Sequence, residues 1–176
     1  MINIIVLEEW KPILNYDNYE ISTAGRVKNK IKDKYLNTYI STSGYKYVQL
    51  CLNKKRSNKM IHRLIAEAFI ENPNNYKLVD HIDCDKLNNN ILNLRWCNDQ
   101  QNSSNKKISN KNKSGYKGVY FSNHAKKWCA QIKYNNKKIH IGYFIDIIDA
   151  AKAYNNKSLE LNGEFANLNI IPEEDI

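Results

Sequence analysis

Val79-Asp80-His81-Ile82-Asp83, followed by Asn88-Asn89-Asn90, then Asn93-Leu94-Arg95-Trp96-Cys97 and Asn102, is the stretch around which the chain organises itself. Leu78-Val79 and Leu94–Cys97 read as two short strands. Between them lies the polar loop Asp83–Asn93. Asn98 or Asp99 caps a following helix that carries Gln100 to Asn105. Strand, loop, strand and helix in so few residues predict a small α+β unit. It presents an acid, an imidazole and two amides close together in sequence.

Hydrolysing a phosphodiester needs a nucleophilic water, a base to activate it, and stabilisation of the leaving oxygen. A neutral imidazole such as His81 accepts the water's proton, because its ordinary pKa is about 6.5. A hard divalent ion prefers oxygen ligands such as the Asp80 carboxylate and the Asn102 amide. Taken singly, these residues have ordinary readings. An Asp-His pair at a strand end is common, Asn102 fits a helix surface, and Asn93 fits a turn. The spaced combination points to a site.

Upstream, Ile61, Leu64, Ile65, Ala68 and Phe69 recur at helical spacing, predicting an amphipathic helix over Lys59–Ile70 that ends at Asn72-Pro73-Asn74. His62 and Arg63 on it read either as helix surface or as phosphate contacts. Further upstream, Tyr19 to Val27 reads as strand, turn at Gly25, strand. Ser43-Gly44 turns into a longer strand, Tyr45 to Leu52.

Downstream, Ser103–Ser114 is polar and rich in lysine and asparagine, and reads as a linker, disordered when free. Strands follow over Tyr116–Phe121, Trp128–Tyr134 and Lys138–Tyr143, with Asn135-Asn136 as a tight turn. A helix from Asp146 to Leu161 then presents Ile147, Ala150, Ala151 and Tyr154 on one face and stops at Gly163. Ser43-Gly-Tyr-Lys-Tyr-Val48 and Ser114-Gly-Tyr-Lys-Gly-Val119 are alike, but the match is too short for a duplicated domain.

The 27 basic and 18 acidic residues give a net charge of +9 and a pI near 9.3. This points to an anionic partner rather than an inert basic surface. No carboxylate occurs between Asp99 and Asp146, a stretch with many lysines, as phosphate neutralisation requires. Cys51, Cys84, Cys97 and Cys129 form no Cys-x-x-Cys pair, so a Cys84–Cys97 zinc site is disfavoured and reduced thiols inside a cell are expected. Ile2–Leu7 is apolar but too short for a signal peptide, and no apolar run would span a bilayer. The expected setting is intracellular and DNA-associated, in a host cytoplasm or a nucleus, not secreted and without a membrane.

Ile61-His-Arg-Leu-Ile-Ala-Glu-Ala-Phe69, Asp80-His-Ile-Asp83, Asn88-Asn89, Asn93-Leu-Arg-Trp96 and Asn102 resemble the HNH nuclease module, the ββα-metal fold, of phage and mobile-intron homing endonucleases. The resemblance implies His81 as general base, Asp80 and Asn102 as ligands of one Mg2+ or Mn2+ ion, and Asn93 as the residue that bonds the hairpin and holds the histidine. It also implies 5′-phosphate and 3′-hydroxyl products. Asn102 stands where other members carry histidine, a variant associated with nicking. The family pattern Asp-Gly-Asn is replaced by Asp83-Cys84-Asp85, and Cys84 would be strained at a left-handed glycine position.

Glu8 to Ile13, Tyr19 to Ser22, Gly25 to Lys28 and Tyr45 to Leu50 resemble the nuclease-associated modular domain, whose role is DNA contact; a buttressing role remains the alternative. Gly115 to Val119, Lys127-Trp128, Ala130 to Ile132, Ile141 to Phe144, Asp149 to Tyr154, Gly163 and Ala166 to Asn169 resemble the Apetala/ethylene-response-factor DNA-binding domain. That resemblance implies a sheet in the major groove, with Lys117, Tyr120, Lys126, Lys127, Gln131, Lys133, Lys138 and His140 as contacts. Trp128 reads as core.

The expectation is therefore an α+β chain of small modules. Residues 1–56 form an N-terminal antiparallel sheet, 57–107 the nuclease motif, 108–113 a linker, and 114–171 a three-stranded sheet packed on one helix. It would act on double-stranded DNA at a long site, as a monomer with no obligate protein partner. A sequence-specific regulator with an inactive centre is the alternative. RNA binding is less favoured, because nothing resembles an aromatic single-strand platform.

Overall fold

Gly25 and Asn15 set the first hairpins. A computed structural model describes residues 8–172; the run Ile2–Leu7 lies outside them. Strand β1 (Trp10–Ile13) turns at Asn15, φ 63°, into β2 (Tyr16–Ser22), which turns at Gly25, φ 79°, into β3 (Val27–Asn29). With β4 (Lys34–Tyr35) these form an antiparallel sheet in sequence order. A second sheet orders β5 (Thr38–Ile40), β6 (Lys46–Leu52) and β7 (Lys55–Met60). Asn53 and Lys54, both at positive φ, close the β6–β7 hairpin.

Helix α1 (Ile61–Phe69) leaves β7 directly. It starts later than its periodicity predicts, because Lys59 and Met60 pair with Val48 and Tyr47 in the sheet. The expected boundary between residues 56 and 57 accordingly falls inside β7. Ile21, Val48, Leu50 and Ile65 are fully buried and share one core with Ile61, Leu64 and Leu94. Each such burial contributes roughly 1.5–3 kcal/mol. The core therefore fixes α1 and the hairpin of β8 (Leu78–His81) and β9 (Leu94–Cys97) to the N-terminal sheets.

The chain divides into two units, Met1–Cys97 and Asn98–Ile176. The second opens with α2 (Asp99–Ser104), which Asn98 and Gln101 close with a capping box. An antiparallel sheet orders β10 (Val119–Ser122), β11 (Lys127–Tyr134) and β12 (Lys137–Phe144), with Asn135 and Asn136 at positive φ in the last turn. Helix α3 (Ile147–Asn162), capped by Asp146, lays Ala150, Ala151 and Tyr154 against Val119, Ala130 and Ile132. Strand β10 begins later than predicted because Gly118 sits at φ 76°. A Cβ there would lie 2.1 Å from the Tyr154 ring.

The residues read as a linker are tied down. Asn112 Nδ2 donates to the Tyr116 carbonyl at 2.9 Å, Ser114 Oγ to the Val119 carbonyl at 2.7 Å, and Asn167 Nδ2 to the Asn105 carbonyl at 3.0 Å. Asparagine composition looked like disorder, but these amides satisfy backbone groups. No helix among the described residues is long and apolar enough to cross a membrane.

Candidate active site

Strand β8 ends on Asp80 and His81, whose side chains leave opposite faces and are both buried. Asp80 pairs across the hairpin with Arg95. The Arg95 Nε and Nη2 both donate to Asp80 Oδ2, each at 3.0 Å. A buried carboxylate without a partner would be costly, and Arg95 supplies the countercharge.

The loop from Ile82 to Asn93 is built from side-chain bonds to backbone. Asp83 N–H donates to Asn93 Oδ1 at 3.0 Å, and Asn93 Nδ2 donates to Asp83 Oδ1 at 2.9 Å and to the Asn88 carbonyl at 2.8 Å. The Ile82 N–H donates to the Asn93 carbonyl at 2.9 Å. Asn93 thus closes the loop on itself. Burial pushes the Asp83 carboxyl up. Hydrogen bonds from Asp85 N–H, Asn88 and Asn93, with the nearby His81, outweigh this and hold it below its ordinary range. Cys84 takes φ 60°, the left-handed position at which the family pattern has glycine.

His81 is enclosed on several sides. Its Nε2 lies 3.2 Å from Asn89 Oδ1. Its ring centroid is 5.1 Å from that of His62, edge-on, and 5.9 Å from that of Tyr45. Tyr45 also packs on His62 at 4.8 Å, and the Lys86 ammonium sits 4.7 Å from the Tyr45 centroid. Lys86 Nζ donates to the Ser43 carbonyl at 2.9 Å, joining the loop to the turn before Tyr45.

His62 corrects an expectation. Its side chain is buried, not presented to phosphate, and its Nδ1 has no hydrogen-bond partner. Burial, then the neighbouring His81 and Arg63, lower its pKa to about 4, so the ring is neutral at physiological pH. Arg63 keeps a partly exposed side chain. It donates to the Lys77 carbonyl at 2.8 Å, approaches Glu67 at 3.4 Å, and lies over Trp96 at 5.8 Å.

In the second unit Asn102 is half-buried on α2. The outward face of the sheet carries exposed Tyr120, Lys127, Lys133, Lys138 and His140, with half-buried Gln131; Lys126 is exposed in the turn before β11. Lys117 is a second correction: its ammonium turns inward to the Ser104 and Lys106 carbonyls, at 2.6 and 2.8 Å. Tyr120, Cys129 and Tyr143 stand in register across the strands, and His140 Nδ1 lies 3.4 Å from Cys129 Sγ. Trp128 packs against the helix-side core, as read.

Four residues of these surroundings fall within the diagnostic stretches but were given no role from sequence: Arg95, Asn89, Tyr45 and Tyr143. Arg95 was within reach, since an antiparallel Leu78–Cys97 register puts it opposite Asp80. Asn89 is hidden in a run of three asparagines, and Tyr45 is brought in only by the tertiary fold.

Asp80 and Asn102 both offer oxygen, the donor that a hard divalent ion prefers. Among the described residues, no group of three or more His, Cys, Asp or Glu could hold a metal. Each donor is described within its own unit, Asp80 in the first and Asn102 in the second.

Residues 8–51 match the NUMOD4 motif, and residues 59–104 match an HNH endonuclease family model. An uncharacterised HNH endonuclease of Acanthamoeba polyphaga mimivirus is 48% identical over 91 residues, which is 52% of this chain and 28% of that protein. The DNA endonuclease I-HmuI of Bacillus phage SP01 is 36% identical over 55% of this chain and 56% of its own. Another mimivirus HNH endonuclease is 38% identical over 73% of this chain and 64% of its own. The chain thus spans less than two thirds of each of these relatives. The solved structure of I-HmuI, described as an HNH homing endonuclease binding and cleaving DNA, superposes with a TM-score of 0.52 over 55% of this chain.

Proposed function

We propose that this chain, which carries the NUMOD4 motif and the endonuclease domain of the HNH family, is a metal-dependent DNA endonuclease of the homing type. The observation that carries this reading is His81, a buried imidazole at a strand end beside Asp80, inside a stretch matched to that domain. The similarity to I-HmuI, which by its description binds and cleaves DNA, supports double-stranded DNA as the substrate.

In this reading Asp80 contributes a carboxylate oxygen, and Asn102 an amide oxygen, to one Mg2+ or Mn2+ ion. When bound, that ion would offset charge on the phosphate and the leaving 3′ oxygen. His81 removes the proton from the attacking water, leaving 5′-phosphate and 3′-hydroxyl ends. Asn93 holds the loop that follows His81. Residues 8–51 contact DNA beside the cleaved bond. The Apetala-like module, through Tyr120, Lys126, Lys127, Gln131, Lys133, Lys138 and His140, contacts it further along. The enzyme acts as a monomer on a long site, inside the cell that holds that DNA, and leaves a nick or a break there.

One feature favours the rival, a DNA-binding regulator with a silent centre: Arg95 already engages Asp80 Oδ2 and would compete with a cation. A library of supercoiled plasmids with randomised inserts, incubated with magnesium or manganese, separates the two. Metal-dependent relaxed circles from the wild type, lost in His81→Ala, are the expected outcome. Metal-independent band shifts without cleavage, or equal cleavage by His81→Ala, would overturn the catalytic reading.

A further inference from the structure

The three consecutive asparagines of the loop have different partners. Asn88 donates through Nδ2 to Asp83 Oδ2 at 2.6 Å, and Asn90 accepts from the Leu92 N–H at 3.0 Å. Both serve the loop's own backbone and side chains. Asn89 is the buried one, at 6% exposure, and its carboxamide faces His81.

The orientation of that carboxamide is set from its other end. Asn89 Nδ2 donates to the Leu87 carbonyl at 3.2 Å, and the Asn89 N–H donates to the same carbonyl at 3.1 Å. The nitrogen end being engaged there, Oδ1 is the end directed at His81 Nε2. A carboxamide oxygen has no hydrogen to give. A bond between these two atoms therefore requires the hydrogen on Nε2. A neutral imidazole carries one N–H and one lone pair, so the lone pair then lies on Nδ1. Tyr45 and His62 press on the same ring, but a ring contact does not choose between its nitrogens.

We propose that Asn89 is a positioning residue that fixes His81 in the tautomer protonated on Nε2, leaving the Nδ1 lone pair to take the proton from water. The proposal rests on the reading of His81 as the base. Asn89 touches no reacting atom. It acts by keeping the basic nitrogen and the N–H of His81 in their assigned places through the loop's backbone, anchored at Leu87.

The test reads the tautomer directly, independently of cleavage. Two-bond 1H–15N spectra of 15N-labelled protein, recorded above the ordinary imidazole pKa of about 6.5, distinguish Nε2–H from Nδ1–H rings. The His81 signals are those missing from His81→Ala. The expected wild-type result is His81 protonated on Nε2. Asn89→Leu, which fills the space without an acceptor, should give a mixture of tautomers and lower plasmid nicking by about 10²-fold. A wild-type His81 protonated on Nδ1 would overturn the proposal even if the plasmid is nicked. So would an Asn89→Leu spectrum identical to that of the wild type. An Nε2–H ring in a protein that leaves every plasmid intact would uphold Asn89's hold on His81, and would instead sink the endonuclease reading.

Discussion

Ser43-Gly44-Tyr45-Lys46 and Ser114-Gly115-Tyr116-Lys117 are the same four residues in two different units. Their backbones agree: Gly44 and Gly115 take φ of 85° and 79°, and each turn leads toward a strand. Their side chains do not. Tyr45 packs on His62 and His81, while Tyr116 joins the core beneath α3. Lys46 lies at the start of β6, while Lys117 grips the carbonyls of Ser104 and Lys106. The residues themselves set the turn. What surrounds the turn decides what the tyrosine and the lysine do.

The next position makes the divergence sharpest, since Tyr47 follows in one copy and Gly118 in the other. Tyr47 stacks on Tyr39 across the sheet, with ring centroids 5.6 Å apart. At Gly118 a Cβ would fall 2.1 Å from the Tyr154 ring and 2.6 Å from the Gln131 carbonyl oxygen. Gly118→Ala combines left-handed strain with overpacking, and should cost the second unit about 3–5 kcal/mol. Tyr47→Gly should cost the first unit only about 1–2 kcal/mol, from the lost aromatic pair and strand entropy. Thermal unfolding of each variant checks both. Equal losses would mean that the two copies are more alike than their packing indicates.

The next largest effect tests what Tyr45 covers. Unfolded His62 titrates near 6.5, and folded His62 near 4. Between these values the unfolded chain binds more protons. The stability associated with His62 is therefore complete above about pH 6.5 and is lost as the pH falls toward 4, by about 3 kcal/mol. His62→Phe keeps a ring beneath Tyr45 and cannot titrate, so its stability should fall less over that window. Denaturant melts at pH 7 and pH 4 give the comparison. Parallel losses in the two proteins would remove His62 as the source.

These two tests mark where the sequence was legible. The strands around Asp80 and His81, helix α3 with its stop at Gly163, and the Asn135-Asn136 turn follow from local period and turn chemistry, and all are seen. His62 was misread because it flanks the apolar stripe of α1, and periodicity cannot show that Tyr45 closes over it. Asn89 was given no role of its own because its two neighbours are the same residue. Lys117 looked like any lysine of a basic stretch until its carbonyl partners were known. Local rules describe the chain's own bonds; contacts brought in from distant residues lie beyond them.

Lys117 gives the third test. Lys117→Ala removes two charge-assisted bonds in a half-buried setting, and should cost about 2 kcal/mol. It should leave the salt dependence of DNA binding nearly unchanged. Lys133→Ala and Lys138→Ala, by contrast, remove exposed charges. Each should flatten the plot of log K against log salt by about one unit with little loss of stability. A flattened slope for Lys117→Ala would return that residue to the DNA.

Cys84 sharpens the lesson of the two glycines with the smallest effect. Like Gly44 and Gly115 it lies at positive φ, 60°, but it carries a side chain. Its N–H closes the turn by donating to the His81 carbonyl at 2.9 Å, so the conformation is imposed by the loop around it. Asn93 bonds the same loop at Asp83 and Asn88, and those contacts offset the strain. Cys84→Gly keeps every backbone bond and relieves the Cβ clash, which should raise stability by about 1 kcal/mol, the penalty of a left-handed residue. The extra freedom of glycine in the unfolded chain offsets part of that gain. Chemical denaturation resolves the difference. A loss of stability would mean that the Cys84 side chain contributes more to the loop than its backbone strain costs, and that this departure from the family glycine is a compensated one.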